Sequence, residues 1–270
     1  MAVPEAVARC RRWLATYGAP RPTVRVTLGC PLAVLLALDD DLDAARTGLA
    51  TVDGLAAELG LPESGVVLPL FRAAVETAAG RPGVALEELD RAAAAAADLA
   101  DAGLAAATGL LGAARREAAR LLLDEGRHAE AAALLDASAE PVALPGLLRA
   151  DAADLDGLRA RLACGLDDAL VLSQRAVRAA EATDSPIVRA TALLDSAAVL
   201  ARAGRDGDAV AAAAAAGRCY AAKRHRPGER RVAAYLRQLT GCSAGGGSIV
   251  GGGSIVGGGS AVATHGGITG

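Results

Sequence analysis

The stretch PIVRATALLDSAAVLARAGRDGDAVAAAAAAGRCY, Pro186–Tyr220, reads as two helices joined by one tight turn. Asp184-Ser185-Pro186 opens it, with a capping residue followed by proline at the first helical position. Gly204 stands where the first helix has to stop, because glycine tolerates the left-handed conformation that closes a helix. Asp206 and Asp208 then fall in the first turn of the second helix, where the helix dipole favours negative charge. Ala209 comes next, at the crossing of the two helices, where a larger side chain would push them apart.

The same pattern recurs along the chain. It appears as Asp40-Asp41-Leu42-Asp43-Ala44-Ala45, Gly80-Arg81-Pro82-Gly83-Val84-Ala85, Gly126-Arg127-His128-Ala129-Glu130-Ala131 and Cys164-Gly165-Leu166-Asp167-Asp168-Ala169, and with Gly204-Arg205-Asp206-Gly207-Asp208-Ala209 the five successive starts are 40, 46, 38 and 40 residues apart. One helical hairpin cannot bury its apolar face alone, whereas stacked neighbours bury it together. The expected fold class is all-α, an α-solenoid of helical hairpins. The spacing predicts a first helix over 3–17 and hairpins pairing 22–38 with 42–59, 64–79 with 83–101, 104–124 with 128–138, 144–163 with 167–182 and 186–203 with 207–222. A last helix is predicted over 227–239. Pro141, Pro145 and Gly146 mark the weakest seam, between the third and fourth hairpins.

Composition agrees with this reading. Hydrophobic residues make up 53 % of the 270 and aromatic residues 2 %. Alanine is the best helix former and strands prefer β-branched and aromatic residues, so an all-β domain is excluded. A formal net charge of −3 gives no global electrostatic case for nucleic acid. Cys10, Cys30, Cys164, Cys219 and Cys242 are odd in number and far apart, with no CxxC, so neither a disulfide framework nor a zinc ribbon is indicated. The N-terminus carries charges throughout and has no apolar core of a signal peptide. The longest strongly apolar run, Val26–Leu38, is far short of the roughly 20 residues of a membrane span. A cytoplasmic protein is expected.

After Leu239 the character changes. Residues 240–270 hold 13 of the 32 glycines and no Asp, Glu, Lys or Arg, and repeat as GGGSIV, GGGSIV, GGGSAV. Glycine has the largest entropy penalty on ordering, so the expected division is a helical repeat domain over 1–239 and a flexible Gly-rich tail over 240–270.

The repeats resemble the tetratricopeptide-type helical region at the C-terminus of large signalling ATPases of high-GC bacteria. Those are AAA/STAND-type regulators that also carry a nucleotide cyclase or a LuxR-type DNA-binding domain. The resemblance covers about residues 3–239. It rests on Val3-Pro4-Glu5-Ala6-Val7-Ala8-Arg9-Cys10 at the start, and on Thr183-Asp184, Ala192-Leu193-Leu194-Asp195 and Cys219-Tyr220-Ala221-Ala222-Lys223 near the end. It implies tetratricopeptide-like hairpins and a place in a regulatory system. It transfers no catalytic residue: the chain has no G-x-x-x-x-G-K-[ST] loop, and its one lysine, Lys223, follows Cys-Tyr-Ala-Ala.

No constellation of catalytic, cofactor-binding or metal-ligating residues is found. His128, His225 and His265 lack partners at ligand spacing and read as surface residues. Asp39-Asp40-Asp41 falls at a turn and lacks the alternating oxygen ligands of a calcium loop. Two groups of basic residues are candidates for partner binding. Arg115, Arg116 and Arg120 would line a concave groove, with Arg116 and Arg120 on one helical face, or else form a solvated surface. Lys223, Arg224, Arg226, Arg230 and Arg231 belong to a basic end suited to an acidic partner segment or phosphate, or else to a solvated capping helix. Aromatic anchors for a tight peptide clamp are scarce.

The expected function is a non-catalytic protein-interaction or scaffold module, partnered by one or more proteins such as a separately encoded ATPase or regulator. The alternative is a detached C-terminal fragment of an ATPase-coupled cyclase or LuxR-type transcriptional regulator. Nucleic-acid binding through the basic end would show as steep salt dependence.

Overall fold

The computed structural model describes residues 1–18, 21–61, 64–137 and 148–245. Among these residues there are twelve α-helices and no strand. They are α1 (Val3–Trp13), α2 (Pro22–Leu38), α3 (Leu42–Glu58), α4 (Ser64–Ala78), α5 (Pro82–Asp101), α6 (Ala105–Asp124), α7 (His128–Asp136), α8 (Leu148–Leu162), α9 (Leu166–Glu181), α10 (Pro186–Arg202), α11 (Asp206–Lys223) and α12 (Arg226–Gly245). The fold is all-α. A π-helical turn, Leu14–Gly18, takes the place of the last turn of the helix expected over 3–17. The last helix runs to Gly245, past the expected end at Leu239. The seam at Pro141, Pro145 and Gly146, and residues 246–270 of the Gly-rich segment, lie outside the described residues.

Helices stop in a common way. Gly60, Gly80, Gly103, Gly126 and Gly204 have left-handed backbone, with φ from 62 to 89°, and Asp40 and Arg224 adopt the same region at 71° and 56°. The residue after each donates its N–H to the carbonyl five positions earlier: Asp41 to Leu36, Arg81 to Glu76, Arg127 to Leu122 and Arg205 to Leu200 are four of the seven cases, at 2.8–3.0 Å. This bond satisfies a carbonyl that the helix end leaves without a partner. The turn at Cys164-Gly165 departs from the expectation. Gly165 is extended, at φ −77° and ψ 127°, and serves as N-cap of α9. There the carbonyls at and just past the end of α8 are taken instead by the Arg202 guanidinium of α10, which donates to Arg161 O at 2.8 Å, Ala163 O at 2.9 Å and Ala160 O at 3.3 Å.

The alanine that follows each turn is buried. Ala45, Ala85, Ala131, Ala169 and Ala209 are all 0 % exposed. Each begins a buried stripe at helical spacing: Leu49, Val52 and Ala56 in α3, Leu89, Ala92 and Ala96 in α5, Ser173, Ala176 and Ala180 in α9, Ala213, Ala216 and Tyr220 in α11. A methyl group at the turn lets the paired backbones approach closely and larger side chains fill the space further on.

Helices of one hairpin pack together, and each hairpin packs on the next: α3 on α4, α5 on α6, α7 on α8, α9 on α10, with α2 also against α4, α6 against α8, and α8 against α10. Buried carboxylates tie these seams. Glu76 of α4 accepts from Arg46 of α3 at 2.9 and 3.1 Å and from Arg81 at 2.6 Å. Those bonds, Arg46 first, hold its carboxyl below the ordinary range against the opposing effect of burial. Among the described residues no helix is long and apolar enough to cross a membrane.

Candidate functional site

The inner faces of α6, α8 and α10 carry charge where an amphipathic helix would bring apolar side chains. Arg116 and Arg120 of α6 are 7 % and 5 % exposed, and Asp195 of α10 is 2 % exposed. Such burial demands partners, because an isolated charge away from water is costly. Arg120 donates to both Asp195 oxygens, at 2.8 and 3.0 Å, and to Asp154 of α8. Arg116 pairs with Asp151 at 3.1 Å and Asp154 at 3.6 Å. Arg161 of α8 reaches Asp195 at 3.4 Å and Asp124 at the end of α6 at 2.9 Å. Asp124 accepts in turn from Arg231 of α12 at 2.9 and 3.1 Å. Gly157 makes room for the centre of this network, since a Cβ there would stand 2.7 Å from Asp195 Oδ2.

The electrostatics follow from this pairing. Burial alone would raise the Asp195 carboxyl, but Arg120 and Arg161 outweigh it and hold it below the usual carboxylate range. Burial likewise disfavours the Arg120 charge, yet Asp195 and Asp154 keep the guanidinium firmly protonated. Glu117, next to Arg116 on α6, is the exception: burial pushes its carboxyl up and the Arg120 charge only partly offsets that.

The groove arginines are therefore corrected. Arg116 and Arg120 are not surface groups available to a partner; they are consumed inside the molecule, because aspartates on α8 and α10 face them. Arg115, half-buried, donates to the Ala137 carbonyl. The basic end is engaged in a similar way. Arg230 pairs with Asp40 at 2.5 and 2.6 Å and donates to the Ala78 carbonyl at 3.1 Å, and Lys223 donates to the Met1 carbonyl at 3.2 Å. Arg226 makes only a local pair with Glu229 at 3.7 Å, and Arg224 is exposed at the left-handed end of α11. Arg230 and Arg231 thus lie at the C-terminal ends of α2, α4 and α6, where the helix dipole and the acidic residues both attract cations. They form a clasp between the last helix and the first half of the chain.

Inside this clasp is a cavity of about 700 Å³. Val34, Leu38, Leu121 and Ile187 give it apolar wall, and Glu117, Thr191, Tyr220 and His225 give it polar wall. His225 is half-buried, not a surface residue: its ring packs on Tyr220 with centroids 4.8 Å apart, and its Nδ1 accepts from the Gly228 N–H at 2.9 Å. That bond puts the proton on Nε2, and burial lowers the ring's tendency to charge. The Tyr220 hydroxyl lies 3.3 Å from Thr191 Oγ1. Nothing local in the sequence shows that Tyr220 and Glu117, about 100 positions apart, line one cavity.

His128 is exposed, with Nδ1 2.9 Å from the Gly126 carbonyl, and His265 lies outside the described residues. Asp40 belongs to the clasp and Asp41 caps α3 through the Ala44 N–H. Among the described residues no group of three or more His, Cys, Asp or Glu is placed to hold a metal ion.

No protein-family model and no curated protein matches the chain. Among solved structures, the chain is similar to the crystal structure of BtubC (BKLC) from P. vanneervenii, with 18 % identity and a TM-score of 0.49 over 82 % of this chain and 89 % of that one.

Proposed function

We propose that this chain is a non-catalytic α-solenoid of tetratricopeptide-like hairpins that acts as a cytoplasmic interaction or scaffold module of a regulatory system. Its partner would be a protein, such as a separately encoded ATPase or regulator. The observation that supports this most is the recurrence of one unit, in which a helix stop is followed by a fully buried alanine at Ala45, Ala85, Ala131, Ala169 and Ala209. Repetition of that kind builds an extended surface.

The interior arginines Arg116 and Arg120 are taken up by aspartates on α8 and α10, which leaves the partner to the outside. The α1 end offers it the residue types that dominate interfaces. Trp13 and Tyr17 are 40 % and 48 % exposed in a chain with few aromatics, and the Arg9 guanidinium lies 4.4 Å from the Trp13 ring centroid. A rigid aromatic with a stacked cation is a low-entropy anchor.

The test is affinity purification on the full chain, followed by calorimetric titration of the purified partner. Trp13→Ala and Tyr17→Ala should each weaken binding by about tenfold. Undiminished binding by both would remove this surface, and reproducible nucleotide turnover by the pure protein would overturn the non-catalytic reading.

A further inference from the structure

Four arginines, Arg116, Arg120, Arg161 and Arg231, face four aspartates, Asp124, Asp151, Asp154 and Asp195, and every one of the eight has an ion-pair partner within the group. Glu117 is the fifth carboxyl of the neighbourhood. Among the described residues its side chain has neither an ion pair nor a hydrogen bond, although it lines the cavity. Around it stand Arg120 and Asp124 on its own helix, Asp154 on α8 and Arg231 on α12, all of them committed elsewhere. One negative charge is left without a counter-charge, at the wall of a space of small-molecule size.

The rest of the wall narrows what would supply that counter-charge. The same cavity is lined by aliphatic groups of Val34, Leu38, Ile187 and Leu121, the last one turn on from Glu117 in α6, together with Tyr220 and His225, whose rings pack on each other. The volume, about 700 Å³, is far more than a metal ion or an ammonium ion fills, and the aliphatic wall offers such an ion no ligands. A molecule that satisfies both sides has a cationic donor at one end and an apolar body behind it. We propose that the cavity binds an organic cation, a primary ammonium on an apolar body, with the ammonium on Glu117 and the body against Val34, Leu38, Leu121 and Ile187. The ammonium gives the carboxylate the charge-assisted hydrogen bonds that the protein does not provide. Burial raises the Glu117 carboxyl and an ammonium beside it lowers it again, so where the carboxyl is protonated binding releases its proton to solvent. This site is separate from the partner surface at α1.

The experiment compares 2-phenylethylamine with 2-phenylethanol, which share a body and differ in the group presented to Glu117, by calorimetry on the full chain. The amine should bind at least about tenfold tighter than the alcohol. Glu117→Gln should abolish that preference. For the unaltered protein, titration at about pH 5 in buffers of different ionisation enthalpy should show net proton release on amine binding, fading as the pH is raised. This last measurement stands even if Glu117→Gln does not fold. Equal affinity for amine and alcohol, failure of the amine to bind, a preference retained by Glu117→Gln, or binding without proton release near pH 5 would each overturn the assignment.

Discussion

Replacing Arg120 by methionine, a side chain of similar length without the charge, removes the two hydrogen bonds to Asp195 and the one to Asp154. Asp195 then stays buried with Arg161, 3.4 Å away, as its remaining cation. Breaking a buried pair by deleting one partner costs about 3–5 kcal/mol, because the other charge is left uncompensated. The residual help from Arg161 places this case near the lower end, about 3 kcal/mol. For a domain of this size each kcal/mol lowers Tm by roughly 2–4 °C, so calorimetry at neutral pH should show a fall of about 6–12 °C.

The pH dependence carries the sharper test. In the native protein the Asp195 carboxyl is held below its ordinary value. Its contribution is therefore complete above the unfolded-state titration near about pH 3.9 and is lost as pH falls through the lower native value. In the Arg120→Met variant burial acts with little to oppose it, so the carboxyl takes up its proton at higher pH. The deficit of the variant should shrink on going from about pH 8 to about pH 5, as the stranded charge is neutralised. Adding Asp195→Asn should recover about half of the loss at neutral pH. A deficit below about 1 kcal/mol, or one that does not change between the two pH values, would refute the account of a buried, mutually compensating network.

Other predictions rest on local geometry. Arg202→Ala removes a cap on three carbonyls at the end of α8 and just past it, at a turn without left-handed glycine; it should cost about 1 kcal/mol and speed amide exchange in the last turn of α8. Gly126→Ala, at φ 78°, should cost about 1 kcal/mol by denaturant titration, whereas Gly207→Ala, inside α11 with open space around it, should be neutral or stabilising. Ala209→Leu should overpack the α10–α11 crossing and cost about 1–3 kcal/mol, seen as a lower Tm. Arg230→Glu with Arg231→Glu sets like charges against Asp40, Asp124 and three helix ends, so limited proteolysis should cut α12 early while the rest of the chain persists. Burial pushes the Cys30 thiol up to about 11, so iodoacetamide near pH 8 should alkylate exposed Cys164 well before Cys30.

The helices and their stops were readable because their causes are local. Gly204, Ser185 and Asp206 act within a few residues of themselves, and the stripe that starts at Ala209 is a property of one helix. Even the failure at Cys164-Gly165 is local in appearance only: that turn is completed by Arg202, about 40 positions further on, which no short pattern connects to it. The candidate site was legible only as a set of residue types. Arg116 and Arg120 stood out by their spacing, but spacing does not tell a side chain that faces water from one that faces an aspartate on another helix.

What the amino-acid order determined by itself is the set of helices, the ends closed by a left-handed residue and the small residues at their crossings, since backbone hydrogen bonding and the helical period reach only a few residues. What tertiary structure alone decided is the fate of the charges. Arg120 meets Asp195 across 75 positions, Arg231 meets Asp124 across 107, and Arg230 meets Asp40 across 190. Coulombic attraction depends on distance in space and on exclusion of water, and both are set only when the hairpins have packed. The same packing shapes the cavity and, among the described residues, leaves Glu117 at its wall without an ion pair or hydrogen bond.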